Sequence, residues 1–128
     1  MQEKHLYEYA VIRLVPHVER EEFINVGVVL FCKQQQFLQT IFTNNYQRIQ
    51  HFCSKIELEE TISYFQAFQQ ICEGTAVNSP ISQLPAINRF RWLTANRSTI
   101  IQTSKVHPGF CINAGETLQQ LFEAYVTN

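Results

Sequence analysis

Local signatures of catalysis are what this chain most plainly lacks. It holds no P-loop, no G-x-G-x-x-G, no H-E-x-x-H and no nucleophile elbow. Its four cysteines, Cys32, Cys53, Cys72 and Cys111, include no C-x-x-C pair, so the paired spacing usual in zinc sites is missing. There is no basic surplus either: 10 Lys and Arg against 11 Asp and Glu give a net charge of -1. Phosphate neutralisation supplies most of a nucleic-acid binder's affinity, so nucleic acid is not the expected partner, a local basic patch aside. No apolar run approaches the roughly 20 residues that span a bilayer. Glu8 and Arg13 interrupt the opening "MQEKHLYEYAVIRLV", which therefore does not read as a signal peptide. A soluble, cytoplasmic protein is the expectation, with no membrane partner. Charge is low at 16%, but hydrophobic content is 45%, which excludes a disordered chain.

What is present is core material. Ten phenylalanines supply large rings, and 128 residues suffice for one core, so residues 1–128 read as a single domain. Each cysteine has apolar neighbours. In a reducing compartment that pattern fits free thiols acting as small buried hydrophobes. A four-thiolate zinc site and a spatial Cys–His pair are the alternatives, and no local signature supports either. No metal and no cofactor are expected.

Periodicity predicts strands over "YEYAVIRLV" (7–15), "NVGVVLFC" (25–32) and "FLQTIF" (37–42), apolar on much of both faces and joined by short connections as an antiparallel meander. Pro16 ends the first, and Gly27 marks a bulge or a close backbone approach. A short amphipathic helix follows over 44–53. A longer one opens on a Ser54–Glu57 capping box and stops at Gly74, with Leu58, Ile62, Phe65 and Cys72 along one stripe. After a loop, "FRWLTANRSTIIQTSKV" predicts two short strands around Asn96, "HPGF" a turn, and 116–126 a last helix capped through Asn113 and Glu116. The expected class is α+β: an antiparallel sheet of about five strands with three helices, mostly on one face.

Three polar clusters could carry function. In "REEFIN", strand alternation sends Glu21, Phe23 and Asn25 to one side and Arg20, Glu22 and Ile24 to the other. The adjacent carboxylates then point apart, a poor arrangement for a shared-proton pair. Either the segment is an Arg–Glu–Asn corner for an anion or a partner's charge, or it is a loop in which Arg20 pairs with a carboxylate and Asn25 caps a turn. In "NRFRWLTANRS", arginines flank Trp92, as in sites that stack bases and hold phosphates. A half-buried strand with a core-facing Trp92 reads the same way. His107 precedes a Pro-Gly pair and is either an acid/base group or an ordinary turn residue. The catalytic candidates are Glu21 and His107. The ligand- or partner-binding candidates are Arg13, Arg20, Glu22, Asn25, Arg97 and Ser98.

The order of "YEYAVIRLVPHVEREEFINVGVVLFC" (7–32), "RFRWLTANRSTIIQTSKVHPGF" (89–110) and a short final helix resembles an uncharacterised bacterial family, domain of unknown function 3037. Matching positions are Tyr9, Arg13, Pro16, Arg20, Glu21, Glu22, Asn25, Gly27, Arg91, Trp92, Arg97, Ser98, His107 and Gly109. The family commonly carries an Asp-Pro pair before the last helix, where this chain reads "CINAGETL". An acid or metal role for that aspartate would be missing here. Members are often encoded beside a kinase-like protein similar to the HipA toxins. The resemblance therefore implies a non-catalytic accessory or interaction domain partnering a HipA-like kinase. A small phosphate- or nucleotide-binding enzyme using an Arg/Glu/His cluster is the alternative, and a homodimer on an exposed sheet edge is a third possibility.

Overall fold

A computed structural model describes residues 3–127. Five strands form one antiparallel sheet: β1 (His5–Leu14), β2 (Ile24–Cys32), β3 (Phe37–Phe42), β4 (Ile101–Thr103) and β5 (His107–Cys111). The order is β3-β2-β1, with β4 and β5 sharing the far edge of β1. Four helices complete the α+β fold: α1 (Tyr46–Phe52), α2 (Leu58–Glu73), α3 (Ala86–Leu93) and α4 (Ala114–Phe122). Among the described residues no helix is long and apolar enough to cross a membrane.

The sheet is covered on both faces, which is why its central strands read as apolar throughout. Ala10, Ile12 and Leu14 of β1 meet Phe65, Phe68 and Phe90 from the α1–α3 layer. On the other face, Val28, Leu30 and Cys32 of β2 meet Leu118 and Phe122 of α4. Three helices thus share one face, and α4 takes the opposite one. All four cysteines are free; three are buried and Cys53 is half-buried. Burial pushes the Cys72 thiol up to about 12.

The face of each β2 residue changes parity partway along. Ile24 and Val26 lie on the α1–α3 side, but so do Val29 and Phe31. A bulge makes the switch, where the β1–β2 register shifts between Ile12 and Arg13. Gly27 sits at it. A Cβ there would lie 2.7 Å from the Ile41 carbonyl oxygen, so both sequence readings of this glycine hold. Beyond the bulge, the buried Ser104 hydroxyl accepts the Val11 N–H at 2.9 Å, bridging the break between β4 and β5.

Several local expectations are corrected. The stretch 86–93 is a helix, not a strand: Asn88 and Arg89 amides donate to the Pro85 carbonyl, and Phe90 and Leu93 turn inward at helical spacing. Trp92 consequently faces outward, 37% exposed, and Phe90 takes the core position. "HPGF" is strand rather than turn, because β5 pairs with β1 throughout. Gly109 is needed there for space, since a Cβ would strike the Tyr7 ring at 2.5 Å. No Ser54–Glu57 capping box forms. Ser54 and Lys55 lie in a turn, and α2 starts four residues beyond Ser54 with Glu57 at its cap position and no side-chain cap. Ile56 packs against the core, so the chain has to turn before the helix can begin. The Gly74 stop and the Asn113 cap onto the Glu116 amide are as predicted.

Candidate functional site

The bulge determines the first constellation. Because it flips the parity of β2, Asn25 lies on the α4 face, level with Arg13 of β1 and Gln102 of β4. The three form a polar row across three strands near the end of the sheet. The Arg13 guanidinium carbon lies 4.2 Å from the Phe23 ring centroid. Asn25 Nδ2 donates to the Tyr125 carbonyl at 3.1 Å, so Asn25 does not cap a turn. Tyr125 is carried by a π-helical turn, Glu123–Thr127, that extends α4. Its ring stacks on Tyr9, and the two hydroxyls are 3.1 Å apart. Burial first, then the bond to Tyr125, pushes the Tyr9 phenol up to about 12. Two atoms of the row, Arg13 Nε and Asn25 Oδ1, are buried without a hydrogen-bond partner.

The second constellation lies on the opposite face. An open groove of about 660 Å³ runs between α2, α3 and β4, lined by Tyr64, Phe68, Ile71, Trp92, Arg97 and Ser98 among others. Arg97 stacks its guanidinium 3.9 Å from the Trp92 ring centroid and donates to the Trp92 carbonyl. Partial burial lowers the pKa of this guanidinium from its ordinary value. Of the other polar groups of the groove, the Thr103 hydroxyl is turned inward and donates to the Thr94 carbonyl. The groove is therefore an apolar trough with one cation at its rim.

The remaining candidates stand apart. Arg20 Nε pairs with Glu22 at 2.9 Å in the exposed β1–β2 loop, and Glu21 ends the preceding turn in a left-handed conformation (φ 57°). His107 pairs with Tyr9, and Glu21 lies beyond Leu14. Those anchor points are about 16 Å apart along β1 at ~3.3 Å per residue. Neither Glu21 nor His107 lines any of the three main cavities. Arg91 makes a bidentate pair with Glu8, 3.0 Å on each arm, that ties α3 to β1. Sequence reasoning missed Tyr125 and Gln102. The tyrosine belongs to the apolar stripe of its helix, and nothing local distinguishes it from a core residue. Gln102 could be found only from strand register.

The architecture is that of a small α+β domain with two faces of contrasting chemistry and no preformed acid/base pair between Glu21 and His107. The family model described as protein of unknown function (DUF3037) matches residues 9–126, and the chain belongs to that family. Comparison with curated proteins and with solved structures finds no match.

Proposed function

We propose that this chain is a non-catalytic accessory domain that docks onto a protein partner. The family resemblance implies a HipA-like kinase as that partner. The observation that carries the reading is the apolar groove with the Trp92–Arg97 stack at its rim. Tryptophan and arginine dominate the energetics of protein interfaces. Among the described residues Arg97 forms no ion pair. A segment that fits therefore presents apolar side chains to the trough and a carboxylate to Arg97. Free, buried thiols suit a reducing compartment, and we place the domain in the cytoplasm on that ground.

The enzyme alternative has Arg20, Arg97 and Ser98 hold a phosphate, with Glu21 or His107 as acid/base. Arg20 is engaged by Glu22, Arg97 and Ser98 line a groove that neither Glu21 nor His107 lines, and Glu21 is anchored far from His107, which favours the docking reading. Co-expression with the HipA-like kinase of the same genome, followed by affinity co-purification, tests the docking reading. A complex that Trp92→Ala and Arg97→Glu each weaken about tenfold or more is expected. A kinase that never co-purifies with the parent chain, with its activity unchanged on adding the domain, would sink the proposal. Light scattering on the free domain tests the homodimer on an exposed sheet edge.

A further inference from the structure

The α4 face carries a second surface, which shares only Gln102 with the groove lining. α4 and its π-helical extension cover β2, β3 and the Tyr7–Tyr9 and Cys111 end of β1 and β5, while the core beneath them takes no residue from β4 or from the Arg13 end of β1. There Arg13 is a cation without an ion pair among the described residues. Its neighbours in the row, Asn25 and Gln102, are neutral amides. On the loop and the helix end that border the row, Glu22 is paired with Arg20 and Glu123 accepts from the Gln119 amide. The walls are aromatic, with Phe23 at 44% and Tyr125 at 43% exposed. An unpaired arginine among half-exposed aromatic rings has the composition of an interface hot spot.

The geometry points to the Arg13–Asn25–Gln102 row as a docking site for an acidic segment of a protein partner, with a Glu or Asp carboxylate on the Arg13 guanidinium. A phosphate normally draws several donors, a helix N-terminus or a second cation into its shell. This row offers one guanidinium, already stacked on Phe23, between two amides that each have one N–H engaged, Asn25 with the Tyr125 carbonyl and Gln102 with the Thr99 carbonyl, which leaves one N–H of each for a carboxylate or its peptide. The aromatic walls exclude water from the pair, which strengthens it. The site extends the docking reading to the opposite face and does not depend on the groove being used.

The test is an NMR titration of the full, isotopically labelled chain with three probes: a short glutamate-containing peptide with apolar flanks, the same peptide with glutamine in place of glutamate, and inorganic phosphate. Shifts at Arg13, Asn25, Gln102 and Tyr125 with the glutamate peptide alone are expected. Arg13→Gln should weaken that binding about tenfold or more, the loss typical of one charge-assisted bond. Gln102→Glu gives up only the exposed bond to the Thr99 carbonyl and supplies an internal carboxylate to Arg13, so it should block the peptide while the fold is retained. Equal response to the glutamine peptide, shifts with phosphate only, no shifts with any probe, or a Gln102→Glu chain that binds as the parent does would each overturn the assignment. Shifts confined to Trp92 and Arg97 would do the same, while leaving the groove reading intact.

Discussion

Replacing Gly27 by alanine tests the link between the bulge and everything built on it. The added methyl would meet the Ile41 carbonyl oxygen at 2.7 Å, the Phe42 ring at 3.0 Å and the Ile12 side chain at 3.2 Å. The nearest of these is backbone of a paired strand. It cannot swing aside, so relief requires β3 to separate from β2 or the bulge to open. Overpacking of this kind costs about 1–3 kcal/mol. For a domain of this length that corresponds to a melting temperature lower by about 6–10 °C at the middle of the range. Gly115→Ala is the internal contrast. It lies in the first turn of α4, where the nearest atoms are Asn113 Oδ1 at 3.4 Å and the Phe37 ring at 3.8 Å. Alanine there should add about 0.4–1 kcal/mol by restricting the unfolded chain. Thermal and urea melts followed by circular dichroism read both, and the Asn25 side-chain amide resonance reports whether its bond to Tyr125 survives. A Gly27→Ala chain that melts at or above the parent, with that resonance unmoved, would refute the argument that close approach fixes the bulge.

Two further outcomes follow from buried polar chemistry. Ser104→Ala leaves the Val11 N–H without its acceptor inside the sheet, which should cost about 1–3 kcal/mol and speed hydrogen exchange at Val11 well above that at Ile12. The Tyr9 phenol is raised to about 12, against an ordinary 10.0, so the folded state holds its proton more tightly than the unfolded one. That contribution is complete below pH 10 and is lost as pH rises from 10 towards 12. Urea midpoints should therefore fall across that window, and Tyr9→Phe should flatten the fall; an identical slope in the variant would show that Tyr9 is not responsible.

Much of the fold was legible because burial on both faces leaves continuous apolar runs: β1, β2 and β3, the stop at Gly74 and the Asn113 cap follow from pattern and local chemistry. The errors share a cause. In "FRWL" aromatic and charged residues alternate, which fits a strand over four residues, while the helical spacing of Ala86, Phe90 and Leu93 needs a window that starts at Pro85. "HPGF" carries turn residues but runs along a sheet edge, where proline is tolerated and Tyr7 needs the space that glycine leaves. Ser54–Glu57 has the spacing of a capping box, but burial of Ile56 outweighs a surface hydrogen-bond pair.

The candidate sites were legible as residues and not as places, because their grouping depends on one extra residue in β2. Strict alternation back from Val28, Leu30 and Cys32 would put Asn25 on the α1–α3 face, away from Arg13 and Tyr125. The bulge at Gly27 reverses that assignment, and no periodicity in "INVGVVLF" announces it. The same loop that delivers Asn25 and Phe23 to one face sends Val18 into the groove on the other. One connection, residues 15–23, therefore borders both proposed surfaces. A partner bound at the groove can bear on the Arg13 row through the Val18 side of that loop. Coupling of that kind is measurable as a double-mutant cycle between Arg97→Glu and Arg13→Gln: the effects on partner affinity add if the faces act separately, and depart from additivity if the loop links them.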